Sequence, residues 1–387
     1  MPQLHKGWIF AFLLVFGILQ QYGTFCSIGL TYDSLDYLHA AQDFAQGESM
    51  HNKNGSPYIE RVPLFPILLS FLGDSKTLLA SWINLLSLLL SLGIFFWLAN
   101  EHIQSATIRV FFGLSLSFST PLFLVGNFLW SEALFLAFLS LHFHFYALYL
   151  RSEKFLYILG MAGVAFLFCL QRNPGIFFVA GMVLVLLIQD DFIRSLKLSA
   201  VYLVIALSGW FWWSYHCYTI GGTDYHPTLR VLFQDVPGNL ILHLTALTNW
   251  FMPTFFSFTL KILIFSGIAL VLWLVWENFK ENLVNYQAQF IRGIFFVSLF
   301  YLLCMVILER TVLEEVERYE ALNYPALMLV AFVGMDLLWR NLGIKSSLRT
   351  VLLIGLVLWS LYPVVRSLNN VQLWHNNQCR QVLGIGY

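Results

Sequence analysis

Charge is the first thing this sequence is short of: 11% of its 387 residues are Asp, Glu, Lys or Arg, where soluble domains average about 25%. A water-soluble chain of this size needs a larger polar skin, so a soluble globular protein is excluded. Net charge is missing as well. The 21 basic and 21 acidic residues cancel, which leaves no basic field to hold nucleic acid. Cysteine is sparse and unpatterned: Cys26, Cys169, Cys217, Cys304 and Cys379 are odd in number and include no CxxC pair. Neither a disulfide framework nor a zinc knuckle is indicated. GxSxG, HExxH, P-loop and Rossmann fingerprints are also lacking, which argues against soluble-cofactor chemistry.

What the chain has instead is apolar bulk. Hydrophobic residues make up 59%, with 37 Phe, 17 Tyr and 13 Trp. A membrane-spanning helix needs roughly 20 mostly apolar residues. Runs of that kind lie near 8–24, 77–99, 106–126, 131–150, 155–171, 174–189, 197–217, 257–276, 292–308, 321–339 and 350–365. The sequence therefore predicts an all-α, polytopic integral membrane protein of about eleven helices, organised as a single membrane domain over 1–387. The first run follows Lys6 and has no small-residue cleavage site after it, so it is expected to be retained as a helix.

Lys and Arg placement sets the orientation. With the N-terminus inside, inner bases sit in short turns such as Arg151-Ser152-Glu153-Lys154. Several outer bases fall in a long loop, where the rule has little weight. This favours N-in, C-out, with Lys261 at an outer helix end where it can snorkel. The long segments 25–76, 218–256, 309–320 and the tail after Arg366 then share the outer face. Function concentrates in loops, so loops 25–76 and 218–256 carry the expected active-site face.

Within the first loop, Thr31-Tyr32-Asp33-Ser34-Leu35-Asp36-Tyr37 leads into Leu38, Ala40, Ala41, Phe44 and Ala45, with Gly47 as a stop. This pattern predicts a short amphipathic helix at the membrane surface. Asp33, Asp36 and Tyr37 fall at i, i+3 and i+4 and so share one face. Asp33 suits an N-cap, with Asp36 complementing the helix dipole, and a carboxylate here also suits a general base at the membrane edge; the two roles are compatible. Residues 64–72 are too few to cross a bilayer. Pro63 suits a helix start, which predicts a short helix with Arg61 at its mouth, bound to a lipid phosphate or a substrate phosphate.

Charges inside or beside apolar runs are costly, so each is a site candidate. Glu132 in Trp130-Ser131-Glu132 opens a helix, where it serves the dipole or the site. Arg172 in Gln171-Arg172-Asn173-Pro174-Gly175 lies between two runs at the same level, as a snorkelling group or as part of a polar cavity. Arg318-Tyr319 follows the acidic stretch Glu314-Glu315-Val316-Glu317, expected to be mostly a solvated face. His142 and His144 point about 200° apart on a helix and are expected to be packing residues. Asp224, His226 and His243 show no ligand spacing that specifies a metal.

Taken in order, Asp33-Ser34-Leu35-Asp36-Tyr37, Arg61-Val62-Pro63-Leu64-Phe65-Pro66, Ser131-Glu132-Ala133-Leu134-Phe135, Arg172-Asn173-Pro174-Gly175, Arg318-Tyr319 and Tyr324-Pro325 resemble the GT-C superfamily of membrane glycosyltransferases. The resemblance is to the bacterial branch akin to protein O-mannosyltransferases and the lipid A aminoarabinose transferase, and spans 8–340. It implies sugar transfer from a polyprenyl-phosphate donor to a hydroxyl of a glycan, lipid or protein acceptor. Transfer would occur among membrane lipids, at the periplasmic face of a bacterial inner membrane. The family's first-loop acid maps to Asp33 as catalytic base, with Asp36 sharing the catalytic role. Tyr37, Arg61, Glu132, Arg172, Arg318 and Tyr319 are the implied substrate-binding residues. The frequent Asp-Glu pair is Asp33-Ser34 here, with Asp36 a turn later, so which acid is the base stays open. No cofactor is implied, and a divalent cation is compatible. The family's soluble C-terminal domain has no expected counterpart in this chain. The alternative class is a multi-pass transporter or lipid flippase, which would show paired repeats and broken midplane helices; neither is visible in the sequence. A non-catalytic assembly partner would tolerate the loss of Asp33.

Overall fold

A computed structural model describes residues 7–188, 192–221, 235–279, 281, 283–308, 313–342 and 347–382. Its helices, in chain order, are α1 (Gly7–Gly23), α2 (Tyr32–Ala45), α3 (Leu64–Ser70), α4 (Lys76–His102), α5 (Ala106–Ser117), α6 (Thr120–Asn127), α7 (Glu132–Ser152) and α8 (Phe155–Gln171). They continue as α9 (Gly175–Leu187), α10 (Phe192–Gly221), α11 (Val236–Phe251), α12 (Phe258–Phe279), α13 (Asn285–Leu308), α14 (Leu313–Ala321), α15 (Tyr324–Asn341) and α16 (Ser347–Val382). Extended pairing among the described residues is confined to two isolated bridges, Gly29 with Phe128 and His51 with Pro57.

Every apolar run in the sequence is helical, but length sorts the runs. Seven spans among the described residues are long and apolar enough to cross a bilayer, counting α5 and α6 as one. An eighth follows if α14 and α15, bent by 56° at a short break, act together. The remaining runs form the shorter helices α1, α8 and α9, of 17, 17 and 13 residues. Helix α12 presents Leu263, Val271 and Trp273 outward. Large apolar groups around a helix belong against lipid, and the chain is an integral membrane protein.

The loops sort to two ends of the bundle in the alternation that the span order requires. At one end, the Asp336 carboxylate accepts from Gln104 N (3.1 Å) and Ser105 N (2.8 Å) and pairs with Arg340 at 2.9 Å. Arg151 pairs there with Glu101 at 2.6 Å. The first loop and the α6–α7 connection lie at the other end. There Gly29 N donates to Asn127 O (2.8 Å) and Leu129 N to Gly29 O (2.9 Å). A Cβ on Gly29 would lie 2.6 Å from the Phe128 ring, so only glycine allows this approach.

Several expectations need correction. The N-cap of α2 is Thr31, not Asp33. Thr31 N donates to Ser34 Oγ at 2.9 Å, and the short Ser34 side chain takes the reciprocal position usually held by Glu or Gln. Gly47 does end the helix, with φ +76°. The 106–126 run breaks at Phe118–Ser119, where Ser119 caps α6 by accepting from Leu122 N. Helix α16 does not stop near 365. It runs 36 residues to Val382, about 54 Å at 1.5 Å per residue, which exceeds the bilayer core. Its far end lies against the first loop, and there Cys26 and Cys379 form a disulfide across 353 residues. The scattered spacing hid this pair because the fold, not the sequence, makes them neighbours. Residues Lys6, Asp224 and His226 lie outside the described residues.

Candidate active site

Helix α2 brings Asp33, Asp36 and Tyr37 to one face, as their spacing requires. It packs on α3 through a small core of Tyr37, Ala40, Ala41, Phe65 and Leu69. The backbone before α3 is fixed by Trp213, whose Nε1 donates to Arg61 O at 2.9 Å. Asn173, between α8 and α9, donates through Nδ2 to Glu60 O at 3.0 Å. Arg61 therefore leaves a backbone pinned from two sides, and its guanidinium reaches back over α2.

The guanidinium bridges two acids. Arg61 Nη2 lies 2.7 Å from Asp33 Oδ1, and its Nη1 lies 3.0 Å from Asp36 Oδ2. Arg318, from α14, bridges the next pair: Nη1 is 2.9 Å from Asp33 Oδ2 and Nε is 2.8 Å from Glu132 Oε1. Arg172 closes the series on Glu132 Oε1. The result is an alternating chain, Asp36–Arg61–Asp33–Arg318–Glu132–Arg172, of three carboxylates and three guanidiniums. Residues remote in sequence supply it, and its formal charge is zero.

Aromatic groups wall this chain. The Arg318 guanidinium sits 3.9 Å from the Trp130 ring centroid, and that of Arg172 sits 5.1 Å from Tyr319. Trp130 is held by donating Nε1–H to Thr31 Oγ1 at 2.8 Å. Tyr37 OH lies 3.4 Å from Ser131 Oγ. All eight residues singled out from the sequence thus meet in one place. Sequence reasoning missed Trp130, Ser131 and Thr31 as partners, although Trp130 and Ser131 directly precede Glu132.

The two first-loop acids differ in environment. The Asp36 side chain is 1% exposed, and both its oxygens are engaged, Oδ1 accepting from Lys53 N at 2.9 Å. The Asp33 side chain is 25% exposed. Burial pushes the Asp33 carboxyl up, but Arg318 and then Arg61 outweigh it, so the group lies below the ordinary carboxylate value. Burial works against the Arg61 cation, yet the Asp33 charge keeps it more firmly protonated than usual. The Tyr37 phenol is raised by burial, which outweighs the pull of Arg172.

His243, expected to bear no defined metal role, is fully buried on α11 and donates Nδ1–H to Glu320 Oε1 of α14 at 2.7 Å. Glu315 on the same helix is exposed, as expected for the acidic run. His142 packs as expected, with Nε2 2.9 Å from Tyr202 OH. Among the described residues, no group of three or more His, Cys, Asp or Glu is placed to hold a metal.

No protein-family model matches the chain, and no curated protein sequence matches it. Its fold does match solved structures. A crystal structure of ArnT from Cupriavidus metallidurans bound to undecaprenyl phosphate superposes with a TM-score of 0.60 at 14% identity, over 98% of this chain and 76% of that one. The apo structure of the same protein gives 0.59 at 15% identity, over 97% and 76%. The chain therefore shares the fold of these ArnT structures.

Proposed function

We propose that this protein is a glycosyltransferase that moves a sugar, hexose or pentose, from a polyprenyl-phosphate donor to an acceptor hydroxyl. The observation that carries the reading is Asp33, a partly exposed carboxylate kept ionised between Arg61 and Arg318. Such a group is positioned to take a proton, and its cations are positioned to meet a phosphate. The shared fold with ArnT, solved with undecaprenyl phosphate, supports a lipid-phosphate donor.

In this reading Asp33 is the base and Asp36 is not. Each carboxylate has both oxygens engaged, but the Asp33 side chain is 25% exposed and an acceptor can reach it, whereas that of Asp36 is 1% exposed. Arg61, Arg172 and Arg318 hold the donor phosphate, Glu132 orients two of them, and Tyr37 and Tyr319 line the sugar's approach. One base and no covalent nucleophile imply inversion at the anomeric carbon. The acceptor is a glycan, lipid or protein at the periplasmic face of an inner membrane. Support for that face comes from the Cys26–Cys379 disulfide beside the site, since disulfides persist in oxidising compartments.

Asp33→Asn tests the proposal. With an undecaprenyl-phosphate sugar and a periplasmic extract as acceptor source, release of undecaprenyl phosphate should fall at least a thousandfold. Thermal stability should fall modestly as the carboxylate's two ion pairs are lost, while detergent solubility and the folded yield stay near those of the parent. Near-normal release by this variant, or a retained anomeric configuration in the product, would overturn the assignment.

A further inference from the structure

We infer that Lys261 and Arg366 form a second anion site, separate from the candidate active site, that takes the phosphate of an anionic membrane lipid. Lys261 stands in the first turn of α12 and is 5% exposed. Its Nζ donates to Asn249 Oδ1, in the last turn of α11, at 2.6 Å. Arg366 of α16 donates through Nη1 to the main-chain oxygen of the same Asn249. Tyr362, one turn earlier on α16, donates its hydroxyl to that oxygen at 3.3 Å. Two cations thus converge on one neutral residue.

The contrast with the active-site chain is one of charge balance. There, every guanidinium meets a carboxylate. Here, no carboxylate of the described residues pairs with either cation. The C-terminus of α11 offers roughly half a negative charge and the N-terminus of α12 roughly half a positive one. Those partial charges cancel and leave two full positive charges, one on a buried lysine and one on a half-buried arginine, which is costly unless an anion arrives. Donors also remain to receive one. An ammonium has three and a guanidinium five, and Asn249 with Tyr362 occupies few of them.

Depth identifies the ligand's chemistry. Arg366 lies 19 residues beyond Ser347 along α16, about 28 Å at helical rise, against a hydrocarbon core of about 30 Å. Ser367, the next residue, donates to Phe118 O at 2.7 Å, and further along α16 Gln378 donates to Asn127 O at 3.1 Å. Lys261, in the first turn of the apolar α12, and Asn249, in the last turn of α11, put the pair beside a helix–helix connection at an edge of the hydrocarbon core, with Arg366 on the active-site half of α16. Lys261 and Arg366 as bare snorkelling groups would reach water. Held on Asn249 instead, they face headgroups with fixed geometry.

Native mass spectrometry of the full-length chain tests the assignment. Phosphatidylglycerol should bind with one more retained lipid per chain than phosphatidylcholine. Lys261→Gln and Arg366→Gln should each weaken that binding about fivefold, and together about thirtyfold, the worth of one and of two cations at a membrane surface. The charge-preserving pair Lys261→Arg with Arg366→Lys should keep it, which separates lost charge from lost fold. Undecaprenyl phosphate competing for the same adduct would support the site with the carrier as its source. Displacement by millimolar inorganic phosphate would make it a site for the free anion and overturn the lipid assignment. Equal retention of both phospholipids by the parent chain, or unchanged binding in the double Gln variant, would overturn it as well. The readout involves no sugar transfer, so it stands or falls independently of the enzyme reading.

Discussion

Replacing Arg172 by Met should cost more stability than replacing Arg172 and Glu132 together. Glu132 has no exposed side-chain surface, and Arg172 and Arg318 both pair with its Oε1. Removing Arg172 leaves that buried carboxylate with one cation in place of two. A unit pair about 4 Å apart attracts by about 4 kcal/mol at an effective dielectric near 20, and breaking one partner of a buried pair typically costs about 3–5 kcal/mol. The double variant Arg172→Met/Glu132→Gln removes both charges and orphans neither, since Arg318 keeps Asp33. It should recover at least about 2 kcal/mol relative to Arg172→Met. For a chain of this size each kcal/mol moves the midpoint by about 1–2 °C. Tryptophan-fluorescence melting in detergent, at one fixed scan rate because unfolding is expected to be irreversible, should show the recovery as a midpoint rise of a few degrees. Donor binding should stay weak in both variants, because a neutral site still lacks one phosphate ligand. A double variant no more stable than Arg172→Met would refute the ion-pair account of this corner.

The Asp33 carboxyl, lowered by Arg318 and Arg61 despite its burial, fixes a pH expectation. Its folded pKa lies below its unfolded one of about 3.9, so its contribution to stability is complete above roughly pH 4–5. That contribution fades only as pH falls through the lower folded value, so transfer should not decline between pH 7 and 5 on its account. A carboxyl infrared band that titrates between pH 5 and 6 and is missing from Asp33→Asn would contradict this. Reducing the Cys26–Cys379 bond should expose two thiols to an impermeant maleimide in intact bacterial spheroplasts, and its loss should cost about 2–4 kcal/mol. Labelling only after lysis would reverse the orientation. Trp130→Leu removes the ring stacked on Arg318 and should weaken donor binding about fivefold to thirtyfold by titration. An unchanged affinity would show that the ring plays no part.

Much of this arrangement was legible because membranes penalise polar groups so heavily. Glu132, Arg172 and Arg318 stood out as charges beside apolar runs, and the structure joins them. The i, i+3, i+4 spacing placed Asp33, Asp36 and Tyr37 together before any coordinate did. Pairing was not legible. Arg318 meets Asp33 across 285 residues, and no local pattern encodes which cation crosses the bundle to which acid. The same holds for Cys26 and Cys379, joined only because α16 outruns the bilayer. Thr31 as N-cap was obscured by Asp33, a stronger capping type two positions later. Lys261 looked like an ordinary snorkelling base because its unpaired neighbour, Arg366, lies on another helix. His243 and Glu320 were hidden for a similar reason, since each alone resembles a loop residue in water.

The order of charges in the site bears on why Asp33, among three acids, suits the proposed reaction. As the acceptor's O–H bond breaks, its proton passes to the base and its oxygen bonds the anomeric carbon. The carbon–phosphate oxygen bond breaks with its electron pair staying on the phosphate. The base loses one negative charge while the departing polyprenyl phosphate gains one, so the total within the guanidinium frame is unchanged. Protonating Glu132 instead would strip Arg172 of its one carboxylate partner among the described residues. Protonating Asp36 would put the proton on a group with 1% exposure, out of an acceptor's reach. Asp33 occupies the interior of the alternating chain. When it is neutralised, Arg61 retains Asp36 and Arg318 retains Glu132, and neither cation is orphaned. Both are half released at the moment a phosphate oxygen acquires charge. One such attraction, about 4 kcal/mol at 4 Å and an effective dielectric near 20, corresponds to roughly a thousandfold in rate when it arises only in the transition state. A neutral resting network is therefore compatible with phosphate chemistry, since the proton transfer itself frees the cations the leaving group requires.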